Sequence, residues 1–108
     1  MTNKPLNPGS TIGILGGGQL GKMLTLAAKT LGYKVIVYAP ELNSVAAKVA
    51  DRHICRPYND MDALKDFGES IDVVTLEFEN IPQITLEAMS KYVPVRPNTH
   101  VLRISQHR

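Results

Sequence analysis

The sequence predicts an α/β fold, an open parallel sheet with helices on both faces, and three observations carry that expectation. Short apolar, β-branched runs alternate with stretches of helical periodicity. The loops between them are short, and the second run, Val35-Ile-Val-Tyr38, is apolar throughout, as in a strand covered on both sides.

The first run, from Thr11 to Leu15, stops at Gly16-Gly17-Gly18 and reads as a buried strand entering a tight turn. From Gln19 onward apolar residues recur at Leu20, Met23, Leu24, Ala27, Ala28 and Leu31, which share one helical face, and Gly32 is the expected stop. After the second strand Pro40 closes the run. A short helix is expected from Ser44 to Ala50, then a brief strand from His53 to Arg56. The next helix runs from about Asp60 to Phe67, with Asn59 or Asp60 as its cap. A fourth strand follows from Asp72 to Leu76, and a helix from Gln83 to Tyr92 with Pro82 near its first turn. The fifth strand, Val93 to Arg96, is expected at an edge, because the prolines around it deny ladder bonds. Met23, Met61 and Met89 are expected to face the core.

The chain's 108 residues suffice for one domain. Residues 1–10 are expected to form a loose tail, 11–98 the domain, and 99–108 the start of a helix capped by Asn98 and leading into a further domain. The first ten residues lack the apolar centre of roughly 7–15 residues that a signal peptide needs. No apolar run approaches the roughly 20 residues that span a bilayer. The net charge of +2, with basic residues spread singly, gives no basis for nucleic-acid binding. The one cysteine, Cys55, makes no internal disulfide and fits a reducing, cytoplasmic setting, with inert packing as its expected role. His53, His100 and His107 share no metal-ligand spacing, so no metal site is expected.

Two stretches carry chemistry. Gly16-Gly17-Gly18-Gln19-Leu20-Gly21 fits G-x-G-x-x-G between a strand and a helix, the context that gives the pattern meaning. Such a loop offers bare backbone and a helix N-terminus with unpaired N–H groups to a polar ligand. The same glycines also let the helix pack close to the sheet, and at this level both uses stand. A Rossmann-like dinucleotide site wants an acid about 20 positions on, at the tip of the second strand. Glu41 is near that register, but behind Pro40 it is expected out in the loop. A phosphate loop with Lys22 after Gly21 fails at Met23, which has no hydroxyl for magnesium.

The second stretch is the acidic end of the fourth strand, Glu77-Phe78-Glu79-Asn80. A repeat of two puts Glu77 and Glu79 on one side. In an open sheet, ligands bind at the carboxyl ends of strands where the order reverses, and the first and fourth strands are commonly neighbours there. Glu77 is then expected to face the Gly16 to Gly21 loop across a crevice. A carboxylate there would repel a pyrophosphate by an amount on the order of a few kcal/mol. An amine with hydroxyls suits the crevice better.

These residues resemble a known family. Gly13-Ile-Leu-Gly-Gly-Gly-Gln-Leu-Gly-Lys-Met-Leu24, Ala50-Asp51, Tyr58-Asn-Asp60 with Ala63-Leu64, Asp72 to Ile81 and Gln106-His-Arg108 look like the N-terminal part of the N5-carboxyaminoimidazole ribonucleotide synthetases. The resemblance implies a Rossmann-like pre-ATP-grasp domain of an ATP-grasp ligase in purine biosynthesis. In that family ATP and bicarbonate give carboxyphosphate, whose carboxyl passes to the amine of 5-aminoimidazole ribonucleotide. It implies substrate contacts at the loop (Gly16, Gly17, Gly18, Gln19, Leu20) and at Glu77, Glu79 and Asn80, with Arg108 on the ATP side. It also implies ATP and Mg2+ in the complete enzyme, a homodimer, and catalytic groups beyond this stretch, so that the fragment alone is expected to be inactive. The family usually has Asp where this chain has His107. The competing expectation is an NAD-type dinucleotide-binding domain of an oxidoreductase or a ligand-sensing module, resting on Glu41.

Overall fold

The computed structural model describes residues 7, 9–78 and 80–97. The chain order is β1 (Thr11–Leu15), α1 (Gln19–Thr30), β2 (Lys34–Tyr38), β3 (Arg52–Ile54), α2 (Met61–Glu69), β4 (Val73–Leu76), α3 (Gln83–Ser90) and β5 (Val95–Arg96). The five strands form one sheet in the order β3-β2-β1-β4-β5, and every pairing is parallel. The order reverses at β1, which lies between β2 and β4. The fold class predicted from the sequence is the one found.

Strand alternation divides the core in two. Ile12, Ile14, Val35, Val37 and Val73 point to one face, where Leu24 and Ala28 of α1 cover them. Leu15, Ile36, Tyr38 and Val74 point to the other, against Leu64 and Phe67 of α2 and Ala88 and Met89 of α3. Each central strand is thus buried on both sides, which is why β2 reads as unbroken apolar sequence.

Local signals end the helices where physics requires. Gly32, at φ +94°, closes α1 in a left-handed turn in which the Gly32 N–H donates to Lys29 O and the Tyr33 N–H to Ala28 O. Asp60 caps α2, its Oδ1 accepting from the Ala63 N–H at 3.0 Å.

Several expectations need correction. Residues 44–50 form a run of turns, not a helix. The Ala46 N–H donates outside the segment to Gly17 O at 3.0 Å, while Ser44 Oγ accepts from Ala47 N. β3 lies at Arg52–Ile54, α3 ends at Ser90, and β5 is confined to Val95–Arg96. Of the methionines, Met89 is fully buried as expected, but Met23 is 64% and Met61 41% exposed. Leu20 and Leu26 stand out on α1 with Met23. One layer of sheet buries only a part of the helix circumference, narrower than the apolar arc of α1. The expected tail and the helix from Thr99 lie largely or wholly outside the described residues.

Candidate functional site

The site grows from the pairing of β1 with β4. Leu15 lies opposite Leu76, so the first residue past each strand, Gly16 and Glu77, are brought side by side. The ladder runs one step further, the Glu77 N–H donating to Leu15 O at 2.9 Å. Glu77 therefore does not stand across a crevice from the glycine loop, as the sequence suggested. It touches the loop, because neighbouring strands lie less than about 5 Å apart.

The loop is shaped around that carboxylate. Gly16 turns the chain at φ +120°, and a Cβ there would come within 2.6 Å of Glu77 Cβ and Oε1. A Cβ on Gly18 would collide with Glu77 Oε2. Gly18 is also the N-cap of α1 and offers no side chain to its unpaired N–H groups. Glu77 supplies what is missing. Its Oε2 accepts from the Gly21 N–H at 3.1 Å, so the first turn of α1 is capped by a carboxylate 56 residues away. The favourable field of the helix N-terminus acts on this internal anion. A pyrophosphate approaching the loop meets a carboxylate already in its place.

Around these groups lies a cleft of about 470 Å³ at the carboxyl end of the sheet. Gly17, Gly18 and Glu77 form one side, and Glu41, Asn43, Ser44 and Val45 another. Tyr58 and Phe78 complete the wall. Ser44 packs on Gly17, so the segment after β2 folds back onto the glycine loop. Glu41 is in that segment, exposed as expected behind Pro40, yet it lines the cleft.

Tyr58 shares the cleft with two acids, Glu41 and Glu77. Its ring is stacked on Tyr38 at 6.0 Å and meets Phe78 edge-on at 6.0 Å, and Tyr38 in turn packs on Phe67. The Thr85 hydroxyl donates to its carbonyl oxygen. Burial, then the charges of Glu41 and Glu77, push its phenol well above the ordinary tyrosine range. At neutral pH Tyr58 is therefore a neutral hydroxyl able to donate.

The cleft gathers Gly17, Gly18 and Glu77 from the predicted set, with Gly16 behind Glu77. Gln19, Leu20 and Asn80 are exposed and outside its lining, and Glu79 and Arg108 lie outside the described residues. Asn43, Ser44, Tyr58 and Phe78 were not singled out as site residues. Tyr58 and Phe78 sit within the stretches that carry the family resemblance, whereas Asn43 and Ser44 had no sequence signal. Among the described residues no group of three His, Cys, Asp or Glu could hold a metal ion.

The family model for the ribonucleotide synthetase preATP-grasp domain matches residues 9–106. The chain belongs to that family. This preATP-grasp domain is 44% identical to the N5-carboxyaminoimidazole ribonucleotide synthase of Brucella melitensis over 108 residues, which is 100% of this chain and 30% of the relative. It is 41% identical to the enzyme of the same name from Bacillus subtilis, again over its full length and 28% of the relative. Among solved structures, an ADP complex of an N5-carboxyaminoimidazole ribonucleotide synthetase superposes with a TM-score of 0.81 at 47% identity, over 87% of this chain and 25% of that one. The synthetase of Staphylococcus aureus superposes with a TM-score of 0.81 at 41% identity, over 88% and 26%. The chain thus spans less than a third of the length of these relatives. Their resemblance extends over both the glycine loop and the β4 end.

Proposed function

We propose that this chain is the amine-binding domain of an ATP-dependent carbon–nitrogen ligase, one that carboxylates the amine of 5-aminoimidazole ribonucleotide with bicarbonate in purine biosynthesis. The observation that carries the reading is the Glu77 carboxylate seated in the glycine loop, where it caps α1 and turns an anion-binding motif into an acceptor site. An ionised carboxylate accepts hydrogen bonds and attracts N–H donors. Glu77 would hold the substrate's exocyclic amine, and the Gly16 to Leu20 backbone would line its approach. The names of the relatives support this choice of substrate and reaction.

The ATP and Mg2+ chemistry is assigned to the portion of the relatives that this chain does not span, with Arg108 on the ATP side. Two solved relatives are ADP complexes, which supports nucleotide binding by the complete enzyme. Glu79 and Asn80 stay in the proposal as flanking substrate contacts. A homodimer and a cytoplasmic setting belong to the same reading. No described helix is long and apolar enough to cross a membrane.

Titration with aminoimidazole ribonucleotide, followed by amide shifts, tests the proposal. Shifts at Gly16 to Leu20 are expected, and their absence at millimolar ligand would overturn binding by this domain. The dinucleotide alternative predicts a change in NADH fluorescence on mixing. The occupied loop predicts none.

A further inference from the structure

The cleft has a second end that the amine does not explain. Glu41 lies beyond the buried Ala39 at the tip of β2, on a segment anchored to the glycine loop by the bond from the Ala46 N–H to Gly17 O. Asn43 and Ser44 follow on the same wall. Tyr58 lines the cleft together with both acids, Glu41 and Glu77. Its ring is fixed between Tyr38 and Phe78.

In an open sheet with β1 at the switch point, a carboxylate past the second strand is placed to accept from ribose hydroxyls, while the glycine loop takes phosphate. Here the phosphate half is filled from within by Glu77. The hydroxyl half is intact. A dinucleotide satisfies only the second half, whereas a ribosylated amine without a phosphate at the loop satisfies both.

We propose that Glu41 and Tyr58 form a hydroxyl-binding subsite for the ribose of an amine-bearing nucleoside or nucleotide, with the amine at Glu77. The subsite rests on the amine-site reading above and extends it to the sugar. Glu41 is acceptor-only, and Tyr58 both donates and accepts. The pair matches a vicinal diol, in which each hydroxyl needs an acceptor and can take a donor.

The test measures binding of three probes to the chain: the base 5-aminoimidazole-4-carboxamide, its riboside, and the 2′,3′-dideoxyriboside. The subsite predicts that the riboside binds more tightly than the other two, and that Glu41→Gln weakens it about tenfold, the loss expected for a hydrogen bond to a charged group. Glu41→Gln leaves binding of the base unchanged, whereas Glu77→Gln weakens base and riboside alike. Tyr58→Phe weakens the riboside and retains the native far-ultraviolet spectrum. Equal binding of riboside and dideoxyriboside, or an unchanged riboside affinity in Glu41→Gln, would overturn the subsite while leaving the amine site standing. If neither base nor riboside perturbs the cleft, both fail together.

Discussion

Position 77 does two jobs with one carboxylate. It closes the first turn of α1 through the Gly21 N–H, and it sets the sign of the cleft. These uses are separable by experiment. Glu77→Ala removes a helix cap and should cost about 1 kcal/mol in urea unfolding, the size of an ordinary N-cap loss. The same variant exposes a glycine loop with its N–H groups unpaired, so inorganic pyrophosphate, silent on the parent chain, should bind. Retained amine binding in Glu77→Ala would refute the role given to this residue. Gly18→Ala leaves the carboxylate in place but drives a methyl into Oε2. Overpacking of this kind costs about 1–3 kcal/mol. Loss of the amide shifts at Gly16 to Leu20, with the domain still folded, is the expected result.

At the scale of elements, the segments that matched expectation are those whose stop and start signals are local. α1 stops at Thr30, just before Gly32 turns the chain with a positive φ, and α2 starts at Met61 because the Asp60 side chain before it accepts from the Ala63 N–H. Asp60→Ala should therefore lower stability by about 1 kcal/mol in denaturant titration, whereas Asn59→Ala should leave it within about 0.5 kcal/mol. The segment from Ser44 to Ala50 behaved differently. Seven residues are too few for a helix to stand on its own propensity. Val49 N and Ala50 N both donate to Ala46 O, closing a single turn, and the Ala46 N–H ties that turn to Gly17 O. Nothing local announces such a bond. α1 shows the converse, a periodicity read correctly with a burial read too widely. Leu24 and Ala28 meet the sheet and are buried, which leaves Met23 on the outer side of α1.

For the whole molecule, the two-layer core and the aromatic row set the response to mutation and pH. Phe67 is fully buried beneath Tyr38, and Phe67→Ala should cost about 3–5 kcal/mol, a large part of the stability of a domain this size. Thermal denaturation followed by circular dichroism checks it. The Tyr38 phenol, raised from 10.0 to about 12 chiefly by burial and then by Asp60, with Arg56 opposing, makes stability depend on alkaline pH. The folded chain holds this proton more tightly than the unfolded one. The contribution is therefore complete below about pH 10 and is lost as pH rises toward 12. Tyr58 acts in the same direction. Tyrosinate absorbance should show a late phase coincident with unfolding, and in Tyr38→Phe the onset of unfolding should move to higher pH. A late phase that appears with the far-ultraviolet spectrum still native would contradict this.

The sequence by itself determined the parallel α/β class, the glycine turn, the stop of α1 at Gly32 and the cap of α2 at Asp60. These follow from interactions within a few residues, or from burial on both faces of a strand, which leaves its mark as composition. The tertiary structure decided that Glu77 enters the loop rather than facing it. It decided that Glu41 returns to the cleft, and that Tyr58 and Phe78 wall it. Each of those outcomes depends on strand register and on contacts between residues distant in the chain. Spacing along a sequence measures neither, because a parallel pairing joins strands whose separation is set by the helix and loops between them rather than by the strands themselves.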